Sequence, residues 1–286
     1  MKIVITAAGL GTRLLPMTKE LPKEMMPIFS TLNGKKCVVP LLQVIFEQMY
    51  ASNLRNYCFV VGREKRSIED HFTPDVNFLK SSSHKNKSMI SSFYKKIIAS
   101  NLFWVNQTEP LGFGDAVKQA EQFVSNDSFV VHAGDVAIFS SKTHPITRLI
   151  DAGKDPSVSA VLLFRKVTDP ERHGVPTLQK INHSKFLVKK VIEKPTNPTS
   201  NNGLMPLYYF KSNVFEKLRK INPGKNNEFQ LTDAIQQLIK DGEKVLAIPL
   251  LKNEKVLDVG TVNSYYKTQL DSFKISWFCI WINSKF

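Results

Sequence analysis

A chain of 286 residues, 42% apolar, is long enough to bury one large core or two joined lobes. Its net charge of +14 favours anionic partners (nucleotide, sugar phosphate, nucleic acid or membrane surface) without choosing among them. The three cysteines, Cys37, Cys58 and Cys279, lie far apart with no C-x-x-C, so neither a disulfide framework nor a zinc cluster is supported. No window approaches the roughly 20 apolar residues of a membrane span. The N-terminal apolar run merges with a glycine turn instead of forming a signal peptide, and a cytoplasmic protein is expected.

The first predicted element is the apolar run Ile3–Ile5, suited to a buried parallel strand. It leads into Ala7, Ala8, Gly9 and Gly11, small residues that let a ligand approach the main chain closely. Successive amide N–H groups in such a turn make an anion-binding nest. Arg13 adds a planar fork for phosphate oxygens and Lys23 a compact ammonium, on a loop stiffened by Pro16, Pro22 and Pro27. Strand, turn and two cations together suit a polyphosphate, although a bare G-x-G more often marks an ordinary βα turn. A Rossmann fingerprint would need glycine where Leu14 stands. A Walker A loop at Gly34-Lys35-Lys36 would need glycine in place of Phe29 and a hydroxyl in place of Lys36.

Strands are predicted over Lys2–Thr6, Tyr57–Val61, Leu102–Asn106 and Ser128–His132, and helices over Val38–Ala51, Glu64–His71, Ser92–Ser100 and Gly114–Val124. This alternation argues for a mainly parallel sheet with helices on both faces, whose ligands bind outside the carboxyl ends of the strands. The turn at Gly9–Arg13 and the one at Ala133–Asp135 both follow strands there. The polar, basic stretch Ser81–Ser92 reads as an exposed loop. Farther on, strands are predicted over Val158–Phe164, Phe186–Glu193, Pro206–Lys211 and Lys244–Pro249, and helices over Ser212–Lys220 and Leu231–Asp241, the latter stopping at Gly242. There is no internal repeat and no interdomain linker. The aromatic stretch Ile275–Ile282 is too short to cross a bilayer. Docking on its own core or an oligomer contact is favoured over an interfacial anchor, because no basic amphipathic periodicity accompanies it.

Two further patterns carry chemistry. Gln107 follows a strand, and a side-chain amide can read a pyrimidine edge. Asp135 and Asp258 are strand-end carboxylates, one from each half. Such a pair suits one Mg²⁺, which keeps several waters and needs few protein carboxylates.

The pattern Gly9-Leu-Gly-Thr-Arg13, nine residues, then Lys23 resembles the signature of the sugar-1-phosphate nucleotidyltransferases. The segment LPKEMMPI is similar to the UTP–glucose-1-phosphate uridylyltransferase variant of that family, and the similarity continues in order from Lys2 to about Leu270. The resemblance implies an α/β nucleotidyltransferase (GT-A-like, Rossmann-like) three-layer fold with a mixed, mainly parallel central sheet. One domain would span residues 1–272, with a nucleotide-binding half at 1–135, a sugar-phosphate-binding half at 136–272, and an apolar tail at 273–286. The implied nucleotide site is Ala8, Gly9, Gly11, Thr12, Arg13 and Lys23, with Gln107 and Gly112 on the base. Asp135 and Asp258 would be the ligands of Mg²⁺. Val191–Pro195 resembles the family's V-E-K-P sugar element, giving Glu193 to sugar hydroxyls and Lys194 to the sugar phosphate. His173-Gly174-Val175 resembles a Y-G-V element, giving the Gly174 main chain to the sugar; His173 replaces an aromatic and is not assigned to catalysis. Glu228–Asp233 resembles E-I-Q-L-T-D, and Thr232 and Asp233 are expected to cap the following helix.

The implied reaction is UTP plus α-D-glucose 1-phosphate giving UDP-glucose and pyrophosphate, by Mg²⁺-assisted in-line attack at the α-phosphorus with Arg13, Lys23 and Lys194 catalytic. The alternatives are the same chemistry with dTTP or another sugar 1-phosphate, and a non-catalytic nucleotide-sugar sensor or regulatory subunit. Retention of Arg13, Lys23, Asp135, Lys194 and Asp258 together argues against a sensor, which has little use for two metal carboxylates. A nucleic-acid binder, suggested by charge alone, would need a helix-turn-helix, finger or RNP pattern that is missing here. The expected state is a homo-oligomer that meets neither nucleic acid nor membrane.

Overall fold

The computed structural model describes residues 1–32, 34–81 and 84–283, without the side chains of residues 84–86, 225 and 277–283. The chain begins with β1 (Lys2–Ala7), the hairpin strands β2 (Pro27–Leu32) and β3 (Lys35–Pro40), α1 (Leu41–Ala51) and β4 (Asn56–Val61). Next come α2 (Arg66–His71), α3 (Val76–Ser81), α4 (His84–Ile98), β5 (Asn101–Asn106), α5 (Phe113–Gln119), α6 (Glu121–Val124), β6 (Phe129–Ala133) and β7 (Val136–Ser140). The second half adds α7 (Pro145–Gly153), β8 (Val158–Lys166), β9 (Gly174–Lys180), β10 (Phe186–Glu193), β11 (Asn202–Phe210), α8 (Val214–Lys220), α9 (Leu231–Lys240), β12 (Lys244–Pro249), β13 (Glu254–Asp258) and α10 (Val262–Asn283).

Among the described residues a nine-stranded sheet has the order β5-β4-β1-β6-β11-β8-β12-β10-β9. β5, β4, β1 and β6 run parallel, while β11 and β10 oppose the other strands, so the α/β sheet is mixed and mainly parallel. Antiparallel pairing of β11 with β6 joins the two halves into one sheet. β1 is buried on both faces. Ile3, Ile5 and Ala7 enter an apolar layer with α1 and α7, while Val4 enters the opposite layer with α5, α8 and α9. Each fully buried aliphatic side chain contributes about 1.5–3 kcal/mol, which is why this strand reads as an unbroken apolar run.

Several sequence expectations are corrected. The helix expected over Val38–Ala51 begins at Leu41, because Lys35–Pro40 pairs with Pro27–Leu32 as a hairpin. Pro40 holds the preceding Val39 extended, so a helix cannot start earlier. The helix expected over Gly114–Val124 divides at Ala120, which leaves helical geometry at ψ 5°. Ser81–Ser92 is not a loop over its described part: residues 82 and 83 lie outside the described residues, and α4 starts at His84 and runs through Ile98. Phe93 and Ile97, one helical turn apart, are buried and anchor it to the core. α9 does stop at Gly242. The residue sits at φ +83°, and its N–H and that of Glu243 cap the carbonyls of Ile239 and Leu238 in a Schellman arrangement.

α10 is continuous across residue 272, where the sequence suggested a boundary. It docks on the β2–β3 hairpin: Phe273 meets Phe29 edge-on at 5.1 Å, and Gln269 Nε2 donates to the Pro27 carbonyl at 2.6 Å. The backbone of the aromatic stretch 275–282 belongs to this helix, its side chains from 277 onward and residues 284–286 lying outside the described residues. No helix among the described residues is long and apolar enough to cross a membrane.

Candidate active site

The carboxyl ends of β1, β5 and β6 open onto a cleft of about 640 Å³. Ala8, Gly9, Gly11, Thr12, Arg13, Lys23, Gln107, Gly112, Asp135 and Lys194 all line it. Gly11 is at φ +68°, the left-handed region, where it starts the short turn Thr12–Leu14 that carries Arg13. The Thr18 hydroxyl clasps the Gly11 carbonyl at 2.7 Å. A side chain at Gly9 would place its Cβ 3.1 Å from Lys23 Nζ, so glycine there lets the lysine tip lie across the turn.

Lys23 Nζ is 2.6 Å from Asp135 Oδ2, with side-chain exposures of 15% and 19%, so this is a mostly buried ion pair. Burial opposes the charge on both partners. At Lys23 the charges of Asp135 and Glu24 overcome that penalty and raise the ammonium pKa. At Asp135 the Lys23 charge and hydrogen bond overcome it and lower the carboxyl pKa.

The second carboxylate arrives through the two-stranded ribbon β7–β13. Its register puts Asp258 opposite Val136, one residue from Asp135, and Val259 N–H donates to the Asp135 carbonyl at 3.1 Å. A Cβ built on Gly260 would lie 3.0 Å from Asp258 Oδ1 and 4.0 Å from Asp135 Oδ2, so both carboxylates turn toward the space above this glycine. Burial raises the Asp258 pKa, with the neighbouring Asp135 charge adding repulsion. Two hard oxygens that leave room for water and phosphate oxygens suit the donor set of Mg²⁺. Among the described residues no group of three or more histidine, cysteine or acidic side chains forms a metal cluster.

Glu193 and Gly174 stand behind Lys194, paired across β10 and β9. Glu193 Oε1 is 3.2 Å from Lys194 Nζ, and Oε2 accepts a 2.9 Å hydrogen bond from the Thr232 hydroxyl. Thr232 is therefore not a helix cap: α9 is preceded by Gln230 with no side-chain cap, and Thr232 and Asp233 lie in its first turn. Lys194 is at φ +42°, a strained backbone for a non-glycine residue, with its N–H bonded to the His173 carbonyl. The His173 ring covers Gly203, and its Nδ1 faces the Asp169 carbonyl at 3.1 Å.

Other contributors were not singled out from the sequence. Arg172 adds a fourth cation to the cleft wall. Lys65, only 8% exposed, donates to the Gly9 carbonyl at 2.8 Å and reaches Glu24 Oε2 at 3.4 Å, tying the glycine turn to the Lys23 segment. Asp115, also buried, accepts from Gln107 Nε2 at 2.8 Å. The segment that resembles E-I-Q-L-T-D closes the cleft by main-chain contacts: Phe229 bonds Leu111 and Gly114, and a Cβ on Gly112, at φ +112°, would strike Glu228 at 2.8 Å. A lysine or aspartate buried for such purposes has no periodic signature of its own. A second cavity, of about 520 Å³, lies between the hairpin, α1 and α4, away from these residues.

A mixed, mainly parallel sheet with a glycine turn, paired cations and paired carboxylates at the carboxyl ends of its parallel strands defines an enzyme class that handles nucleotides. Residues 2–274 match the nucleotidyl transferase family, and the chain belongs to that family. It is 35% identical over 277 residues to a UTP–glucose-1-phosphate uridylyltransferase of Streptococcus pyogenes, covering 94% of this chain and 88% of that protein. A UDP-glucose pyrophosphorylase solved in complex with UDP-glucose superposes with a TM-score of 0.83 at 27% identity, over 96% of this chain and 98% of the other. A UTP-bound UGPase from Acinetobacter baumannii shares the fold, with a TM-score of 0.80 at 24% identity over 94% and 92% of the two chains.

Proposed function

We propose that the protein transfers a uridylyl group from UTP to α-D-glucose 1-phosphate, releasing UDP-glucose and pyrophosphate. The observation that carries this reading is the convergence of the Gly9–Arg13 turn, Lys23, Asp135 and Lys194 on one cleft, in a chain whose 35% identical relative bears that enzyme's name. Residues 1–135 serve the nucleotide and residues 136–272 the sugar phosphate.

A phosphate oxygen of the sugar attacks the α-phosphorus in line. The new P–O bond forms as the bond to the α,β-bridging oxygen breaks, and pyrophosphate carries away the electron pair. Two anions must meet, so positioning and charge neutralisation do the catalysis, and no covalent enzyme intermediate is required. Arg13 grips the triphosphate and stabilises the leaving pyrophosphate. Lys23 neutralises oxygens near the α-phosphorus, and Lys194 orients the attacking phosphate. Glu193, steadied by Thr232, accepts from sugar hydroxyls, with the Gly174 main chain beside it. Ala8, Gly9, Gln107 and Gly112 surround the base. Asp135 and Asp258 would hold Mg²⁺, which when bound draws charge from the phosphates.

The test is pyrophosphate release from purified protein with UTP, glucose 1-phosphate and Mg²⁺, with and without EDTA. Release that needs both substrates and stops with EDTA is expected. Absence of release with UTP, dTTP, CTP, ATP or GTP across several sugar phosphates would refute the reading and leave a nucleotide-sugar sensor.

A further inference from the structure

A side-chain amide offers donors from one end and an acceptor from the other, so a freely turning glutamine can read either kind of base edge. Gln107 is not free to turn. It is 4% exposed, and its Nε2 lies 2.8 Å from Asp115 Oδ2 and 3.2 Å from the Gly112 carbonyl oxygen. Both neighbours only accept, so the amide end between them has to be the NH₂. The reverse orientation would press the Gln107 carbonyl against a buried carboxylate and leave two acceptors unpaired. Asp115 is itself held in place on α5. Gln119 Nε2 lies 3.3 Å from each of its oxygens and Lys118 Nζ 3.3 Å from Oδ1. The Gly112 carbonyl is fixed in turn by the Ala116 N–H at 3.0 Å.

With both donors committed inside the protein, Oε1 is the atom that Gln107 has left for the cleft it lines. Uracil and thymine donate through N3–H, whereas cytosine carries a lone pair on N3. An acceptor fixed opposite N3 bonds the first two and repels the third.

We infer that Asp115 is a positioning residue, which locks the Gln107 amide with its oxygen toward the base and thereby sets the preference for uracil over cytosine. The inference rests on the uridylyl-transfer reading and adds to it a device for base selection. The lock makes no distinction between UTP and dTTP, since both present N3–H.

The test is titration calorimetry of the full chain with UTP, dTTP and CTP in Mg²⁺, alongside turnover, for the wild type, Asp115→Asn and Gln119→Leu. Asp115→Asn keeps the shape but can offer either an oxygen or an NH₂, which lets the Gln107 amide turn. Loss of one enforced hydrogen bond of this kind is expected to cut the UTP-over-CTP preference about tenfold. The UTP-over-dTTP ratio and the KM for glucose 1-phosphate should stay unchanged, which a general structural defect would not allow. Gln119→Leu leaves the carboxylate, its Gln107 contact and its Lys118 contact in place, and should lower the UTP-over-CTP preference far less than Asp115→Asn does; an equal fall in both variants overturns the assignment to Asp115. An unaltered preference in folded Asp115→Asn overturns the lock while leaving uridylyl transfer standing. A wild type that binds no uridine nucleotide overturns both. If Asp115→Asn does not fold, Asp115→Ser reads the same ratio.

Discussion

Replacing Asp135 by asparagine separates its chemical role from its structural one. In the folded protein its Oδ2 lies 2.6 Å from Lys23 Nζ, and the two side chains are 19% and 15% exposed. At an effective dielectric constant of about 20, that contact has a gross Coulomb energy of about 6 kcal/mol. Most of this is offset by desolvation of the two groups, and removing one partner of a buried pair costs about 3–5 kcal/mol. Two features reduce the cost here. Asparagine keeps an oxygen for the Lys23 ammonium, and Glu24 still supplies negative potential to it. A loss of about 2 kcal/mol is therefore expected, equivalent to about 4–8 °C in melting temperature for a chain of this size. Turnover should fall much further, by about 10³-fold or about 4 kcal/mol of barrier, because a neutral amide is a poor ligand for a hard cation. The assay is pyrophosphate release at saturating UTP and glucose 1-phosphate, well below the variant's melting temperature, over a Mg²⁺ series. Near-normal turnover in the folded variant would remove Asp135 from the metal site. A turnover loss no larger than the stability loss predicts would show that the residue is only structural.

Thr232→Val removes the hydroxyl that steadies Glu193 while preserving shape, and hydrogen bonds to charged groups contribute about 1.5–3 kcal/mol. The KM for glucose 1-phosphate should rise about tenfold or more with little change in the KM for UTP, and steady-state kinetics in both substrates would show a parallel rise if the reasoning is wrong. His132 is fully buried and burial lowers its pKa from 6.5 to about 4. The unfolded chain then binds the extra proton between pH 6.5 and 4, so this contribution is whole above pH 6.5 and is lost as pH falls toward 4, up to about 3 kcal/mol. Urea unfolding at pH 7 and pH 5 should show a steeper acid loss for the wild type than for His132→Asn; equal slopes would contradict this. At Gly153 an added Cβ would lie 2.3 Å from the Tyr209 ring, so Gly153→Ala should destabilise by about 1–3 kcal/mol in chemical denaturation, and an unchanged midpoint would show that the ring gives way freely.

Much of this protein was legible in its residues because the relevant signals are local. The unbroken apolar run at Ile3–Ile5 announces a strand buried on both faces, as found in β1, and glycine at 242 announces the stop of α9. The small residues and cations of Gly9–Lys23 share one short segment, so their meeting at one cleft needs little more than a turn. Short pieces whose stability comes from neighbours were less legible. The β2–β3 hairpin is held by α10, packed from the far end of the chain, and the polar first turns of α4 have a weak apolar stripe.

The sequence by itself determined the alternating strands and helices, the chemistry offered at each strand end and the family, because each depends on neighbouring residues or on motifs in order. Only the tertiary structure decided which distant groups meet. Asp258 reaches Asp135 through the register of β7 with β13, Thr232 leaves capping to hold Glu193, and Asp115 fixes the Gln107 amide. The reason is physical: local preference sets the course of the backbone over a few residues, whereas a hydrogen bond to a buried charge is set by how separate elements pack, and that is written in no single segment of the chain.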